Sequence, residues 1–233
     1  MGSFSSLKER VWKCNMELQQ KNLVVCTFGN ASGIDRKEGI IAIKPSGISY
    51  PELTPDKIVL VDMNNKVVDS KYRPSSDTKS HIALYKYFPN ICGVVHTHST
   101  YATAWAQAKM PIPCFGTTHA DYVPGNVPCT DELSDAQIKD DYERETGIQI
   151  IETFEKLSLS YEQIEMVLVI SHGPFTWGKT VEGAIYNSIM LEEVAKMAYI
   201  TAMLDPHQKP IKQSLLNKHF LRKHGKDAYY GQK

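Results

Sequence analysis

The sequence has no C-x-x-C pair, no internal repeat, no low-complexity tract and no excess of charge of either sign. Each absence removes a class of protein. The five cysteines, Cys14, Cys26, Cys92, Cys114 and Cys129, are odd in number and scattered. They read as reduced thiols of a cytoplasmic protein, not as a disulfide framework. Lys plus Arg is 26 and Asp plus Glu is 26, a formal net charge of zero. That balance disfavours nucleic acid and anionic membrane surfaces as partners. The opening MGSFSSLKERVWKCN has no apolar run of the signal-peptide kind. Met1-Gly2 with Ser6 matches the short N-myristoylation pattern, a match common by accident. The longest apolar helical stretch, 180–204, is interrupted by Glu192, Glu193 and Lys196. A membrane span needs about 20 mostly apolar residues, so this reads as a helix of a water-soluble protein.

What is present is an ordinary globular composition, 42% hydrophobic and 22% charged over 233 residues. A chain of this length buries roughly 70–75% of its unfolded surface and needs no structural metal to fold. No segment reads as a linker, so one domain is expected over residues 1–233. Helical spacing is expected over 6–20, with Leu7, Val11, Cys14 and Leu18 on one stripe. Strands are expected over 23–28 and 39–43, around a turn GNASGID (29–35). A hairpin is expected over 57–69, closed by Asn64-Asn65. A helix follows over 75–88, opened by the Ser-Ser-Asp-Thr cap. Residues 91–98 form a buried strand and 99–108 a short helix, and 111–128 are irregular. One helix is expected from Ser134 through about 157, a buried strand over 166–171, a long helix over 181–204 and a last one over 212–224. The mixture lacks a βαβ rhythm, which implies a layered α/β domain with a partly antiparallel sheet.

The pair His96-x-His98 ends a strand, where alternate residues share a face. His172 ends another apolar run, VLVISHGPF. If the two strands are neighbours, three imidazoles converge, and three nitrogen ligands with an open position suit a catalytic zinc. The alternative is that these are satisfied strand-end histidines. Asp77 fits either a carboxylate near the metal or a helix N-cap. No H-x-H-x-D-H pattern follows, which weakens a zinc-hydrolase assignment.

Three small-residue turns suggest an anion site: Gly29–Gly33, Lys44–Gly47 and Pro74–Asp77. Backbone N–H groups at a helix start, two hydroxyls and a lysine suit a phosphate, although such turns are commonly structural. None matches the G-x-x-x-x-G-K-[ST] nucleotide loop. A loop, 116–125, gathers His119, Asp121 and Tyr122. The basic run 218–226 and the tyrosines Tyr229 and Tyr230 close the chain.

Taken together, GNASGID, IKPSG, RPSSDTKSHIALY, GVVHTHST, GTTHADY, DDYERETG, SHGPFTWGK, LEEVAKMAYI and KHFLRKHGKDAYYGQ resemble the L-ribulose-5-phosphate 4-epimerases of the class II aldolase/epimerase superfamily. Segments such as KYRPSSDT and STYATAWAQA look closer to the form that serves ascorbate breakdown than to the arabinose form. The resemblance implies a single-domain class II aldolase-like fold, with a largely antiparallel central sheet flanked by helices. It implies zinc, one ion per subunit, held by His96, His98 and His172 with Asp77 beside it. It assigns Asn30, Lys44, Ser46, Gly47, Ser75 and Ser76 to the substrate and its phosphate. Asp121 and Tyr230 take the acid–base roles, and Thr117, Glu143 and His219 lie around the site. It further implies a homotetramer with shared active sites, the tail 210–233 reaching a subunit interface and held there by a neighbour. The departures from the family pattern are Ala31, Gly33, Tyr101 and the turn VPGN (123–126). None touches a proposed ligand or the Asp121 and Tyr230 pair.

The implied chemistry is coherent. The C4 proton of a 2-ketose 5-phosphate is not acidic, so inversion needs another route. Breaking C3–C4, rotating the aldehyde and re-adding it inverts C4, and zinc stabilises the charge left on the ketose fragment. Two proton-transfer groups, one for each face, are then required. The rivals are a class II sugar-phosphate aldolase, which releases the aldehyde, and a non-enzymatic metal- or RNA-binding module.

Overall fold

The computed structural model describes residues 4–231, so the Met1-Gly2 pattern lies outside the described residues. Its centre is a seven-stranded sheet: β1 (Asn30–Asp35), β2 (Ile40–Ile43), β3 (Val59–Asp62), β4 (Val67–Asp69), β5 (Gly93–His96), β6 (Met166–Val169) and β7 (Gly173–Gly178). The spatial order is β4-β3-β2-β1-β5-β7-β6 and every pairing is antiparallel. Eight α-helices accompany it among the described residues: α1 (Ser5–Gln20), α2 (Thr78–Tyr87), α3 (Thr100–Gln107), α4 (Thr117–Ala120), α5 (Asp135–Lys139), α6 (Tyr142–Lys156), α7 (Val181–Leu204) and α8 (Gln213–His224).

The period of two along each strand decides which helix covers which face. Ala31, Ile40, Ala42, Leu60 and Val95 pack with Val11 and Leu18 of α1 and with Val181 and Ile185 of α7. The alternate residues Ile34, Ile41, Ile43, Val59, Val61 and Val94 pack with Ile82 and Leu84 of α2 and with Ile150 and Phe154 of α6. His96 shares the parity of Val94 and therefore faces the α2 side.

Several expectations need correction. Residues 23–28 are not a strand, and the expected turn GNASGID is itself β1, paired on both sides. His172 does not end a strand. It lies in the tight link between β6 and β7, where Ser171 has φ 57. β7 had no counterpart among the expected strands, and it is β7, not β6, that pairs with β5. The helix expected from 134 through 157 breaks at Asp140–Asp141 into α5 and α6. The 111–128 segment is mostly irregular but carries the one-turn helix α4.

α2 and α6 approach closely because of one glycine. A Cβ on Gly147 would lie 2.7 Å from the Ala83 Cβ and 2.9 Å from the Ser80 carbonyl oxygen. The Ser80 hydroxyl donates to the Glu143 carbonyl, and Lys79 bonds both carboxylate oxygens of Asp141 at 2.9 Å. These contacts fix the start of α6 against the start of α2.

Candidate active site

The end of β5, the β6–β7 link and the start of α2 meet at a pocket of about 420 Å³. His96, His98 and His172 gather in its wall, with their ligand-capable atoms all within 4.8 Å of one another. The His96 and His98 Nε2 atoms are 3.1 Å apart. His96 Nδ1 lies 3.0 Å from the Pro174 carbonyl oxygen, which can only accept. Nδ1 is therefore the protonated nitrogen, and the Nε2 lone pair faces the other imidazoles. Burial pushes His172 down to about 3, with His96 and His98 adding to the shift, and lowers His98 as well. Three imidazoles crowded nitrogen to nitrogen make a donor set that fits a divalent cation such as zinc. Asp77 is not among the mutually close donors.

The Asp77 carboxylate has another engagement. It stands at the N-cap position of α2 but makes no capping bond. Instead it accepts from the Asn30 amide at 2.7 Å, and Ser75 Oγ lies 3.4 Å away. Burial works to raise its pKa, but His96, His81 and the Asn30 hydrogen bond outweigh that and hold it below the usual carboxylate range. An ionised acid that forgoes its cap to face three histidines is suited to orienting a cation or a substrate hydroxyl. Asn30 also reaches Ser75 Oγ at 3.1 Å, tying the two together.

The other wall has the make-up that suits an anion. Lys44, Ser46, Gly47, Ser75 and Ser76 all line the same pocket. The two turns are joined by backbone: Ser46 N–H donates to the Arg73 carbonyl and Ser75 N–H to the Lys44 carbonyl, each at 3.0 Å. Gly47 has φ +71, and space is open where a Cβ would stand. Lys44 is only 2% exposed. Its Nζ donates to the Thr27 carbonyl at 3.1 Å and sits 4.9 Å from the Tyr50 ring centre. Burial lowers its pKa to about 8, partly opposed by Asp77.

Glu143 joins this pocket, as expected. Tyr142, Thr27 and Phe28 join it without having been singled out in the sequence. Phe28 stacks on His98, with ring centres 5.8 Å apart and planes 7° off parallel. The Tyr142 hydroxyl meets His172 Nδ1 at 3.2 Å. The only sequence signal for Tyr142 was its place beside Glu143.

Thr117, Asp121, His219 and Tyr230 do not line this pocket. They form a second cluster where α8 packs on α4. Asp121 accepts from His219 Nδ1 at 2.9 Å and from Arg222 through Nε at 3.0 Å and Nη2 at 2.7 Å. Thr117 opens α4, and its carbonyl accepts the Asp121 N–H at 3.0 Å. The Tyr229 and Tyr230 N–H groups both donate to the Arg222 carbonyl, and the Tyr230 ring lies over Arg222 and Lys223 at 4.7 and 4.6 Å. The tail is thus pinned by its own helix. These contacts are within the chain and leave open a face for a neighbouring subunit, as expected from the sequence. The Tyr230 side remains exposed.

Residues 9–199 match the family model described as class II aldolase and adducin N-terminal domain. The L-ribulose-5-phosphate 4-epimerase UlaF of Salmonella paratyphi B is 51% identical over 227 residues, covering 97% of this chain and 99% of the relative. The protein of the same name from Salmonella paratyphi C is 52% identical over the same length and coverage. Among solved structures, an L-fuculose 1-phosphate aldolase superposes with a TM-score of 0.79 at 24% identity, over 94% of this chain and 95% of that one. With the antiparallel sheet, the helical layers and the clustered histidines in agreement, the chain belongs to the class II aldolase and adducin family, among its L-ribulose-5-phosphate 4-epimerases.

Proposed function

We propose that this protein is a zinc-dependent isomerase that converts L-ribulose 5-phosphate to D-xylulose 5-phosphate by breaking and remaking C3–C4. The observation that carries the reading is one pocket holding both a three-histidine cluster and a lysine–serine anion cradle. It stands in a chain half identical, end to end, to proteins named for that reaction.

Zinc held by His96, His98 and His172 would supply Lewis-acid stabilisation of the negative charge that develops on the ketose fragment when C3–C4 breaks. The residues of the chain do the rest. Lys44, with Ser46, Gly47, Ser75 and Ser76, grips the phosphate and so retains the aldehyde fragment while its carbonyl turns over. Asn30 and Asp77 orient substrate hydroxyls at the cluster, and Glu143 borders them. Asp121 and Tyr230 serve as the proton-transfer pair, with Thr117 and His219 supporting them. That pair lies outside the histidine pocket of its own chain, which supports a homotetramer in which one subunit completes the site of the next. The whole length, 1–233, then works as one domain of a cytoplasmic enzyme. No helix among the described residues is long and apolar enough to cross a membrane.

The test is to follow L-ribulose 5-phosphate by NMR in the presence of the zinc-loaded protein. Formation of D-xylulose 5-phosphate without free aldehyde is the expected result. Accumulating glycolaldehyde phosphate would mean an aldolase, and an unchanged substrate would overturn the reading.

A further inference from the structure

We propose that Tyr142 is a positioning residue, whose phenolic oxygen accepts the Nδ1–H of His172 and so turns the His172 Nε2 lone pair toward His96 and His98. The inference rests on reading the histidine cluster as a metal site.

The three imidazoles are held in three different ways. His96 is fixed by main chain, through the Pro174 carbonyl. His98 is held by the Phe28 ring stacked upon it. His172 sits in the β6–β7 link, and its Nδ1 meets the Tyr142 hydroxyl at 3.2 Å, with ring centres 6.1 Å apart. An imidazole has one proton to place when neutral. To act as a ligand through Nε2 it must carry that proton on Nδ1, and Nδ1 then needs an acceptor. Tyr142 supplies one. The bond uses a lone pair of the phenol oxygen and leaves its own O–H free. That O–H belongs to a side chain that is 37% exposed and lines the pocket.

The local frame explains how an exposed tyrosine can be held so placed. The break at Asp140–Asp141 makes Tyr142 the first residue of α6. The Lys79–Asp141 ion pair, the Ser80–Glu143 hydrogen bond and the close approach at Gly147 all fasten that end to α2. A continuous helix through this stretch would not place its first turn here. The kink that sequence patterning missed is what delivers the hydroxyl to His172.

The experiment compares wild type with Tyr142→Phe, which keeps the ring and removes only the oxygen. Zinc affinity is measured by competition with a chromophoric chelator, and melting temperature is measured with and without zinc. Loss of a hydrogen-bond partner to a metal-ligating histidine weakens metal binding by about 10- to 100-fold. That loss is expected, with a smaller zinc-induced rise in melting temperature and an unchanged metal-free melting temperature. Tyr87→Phe, on a different groove, is the control and should bind zinc as wild type does. Wild-type zinc affinity in Tyr142→Phe would overturn the inference and leave the metal site standing. A metal-free melting temperature lowered as much as the zinc-bound one would also overturn it, by making the residue structural. Failure of the wild type itself to take up zinc would overturn both readings.

Discussion

Arg222 grips Asp121 at two points, Nε to Oδ1 at 3.0 Å and Nη2 to Oδ2 at 2.7 Å. His219 and Lys223 add to the same carboxylate from the same helix, so α8 is clamped to the residue that follows α4. Burial works to raise the pKa of Asp121, but the Arg222 and His219 hydrogen bonds outweigh it and hold the carboxyl below its usual range. A depressed carboxylate pKa stabilises the fold above the unfolded value, near 3.9, and the contribution is lost as pH falls through the folded value. Arg222→Gln should therefore lower the urea midpoint at pH 7, and the gap to wild type should begin to narrow as pH falls below about 4. Equal gaps at pH 7 and pH 3.5 would show that the pair does not stabilise the clamp.

Lys44 gives a kinetic signature in the opposite pH range. Burial lowers its pKa to about 8, so in the free enzyme it sheds its proton above that pH. A phosphate dianion needs the ammonium form. The wild-type kcat/KM for a phosphorylated ketose should then fall as pH rises through about 8. Lys44→Met should erase that limb and raise KM by about 10- to 150-fold, the equivalent of a charge-assisted contact worth about 1.5–3 kcal/mol. Unchanged KM and an unchanged alkaline limb would remove Lys44 from phosphate binding.

A buried chain of hydroxyls predicts acid sensitivity. Tyr85 OH lies 2.8 Å from Ser32 Oγ, which lies 2.7 Å from His81 Nδ1. His81 is fully buried, its Nε2 has no hydrogen-bond partner among the described residues, and burial pushes its pKa down to about 3. The unfolded imidazole titrates near 6.5, so below that pH only the unfolded state takes the proton. Stability should fall from pH 6.5 toward pH 3. His81→Gln should flatten that slope while costing about 1–3 kcal/mol at neutral pH, since Ser32 and Tyr85 lose their partner. Urea titrations of metal-free protein at pH 7.5 and 5 decide it. An unaltered slope would place the acid sensitivity in other histidines.

What could be read from the sequence followed from local periodicity. His96 and His98 were paired on strand alternation, and they do meet, although β5 ends at His96 and His98 lies just beyond it. Lys44, Ser75 and Ser76 stand out because hydroxyls, a lysine and a helix start suit an anion. The misreadings have a common cause. Asn30–Asp35 has the composition of a turn, yet it is a central strand because β2 and β5 pair with both its edges. Its small buried residues, Ala31 and Ser32, reflect what crosses the sheet there, which outweighs intrinsic strand preference. β7 begins with Gly173-Pro174, a breaker signal, and still carries the ladder that brings His172 beside His96. The link between Tyr142 and His172 spans 30 positions and depends on a kink, so no local pattern could report it.

Tyr230 carries the last prediction, because its position separates two ways of building the site. Its backbone is anchored within its own chain, its ring rests on Arg222 and Lys223, and it is 58% exposed outside the histidine pocket. If it transfers a proton, it must do so in the pocket of a neighbouring subunit. Tyr230→Phe should retain zinc and assembly but lose about 10²- to 10⁴-fold in turnover, the usual worth of a general acid–base. Tyr229→Phe, whose ring lies over Lys218, should be far milder. The sharper measurement mixes two inactive proteins. His98→Asn spoils the cluster and Tyr230→Phe spoils the tail. In a hybrid ring, some sites would draw an intact cluster from one subunit and an intact tyrosine from the next. Unfolding and co-refolding equal amounts should restore roughly a quarter of wild-type activity, as random pairing across a closed symmetric interface gives. A mixture that stays inactive, with hybrids shown to form, would mean that each chain completes its own site.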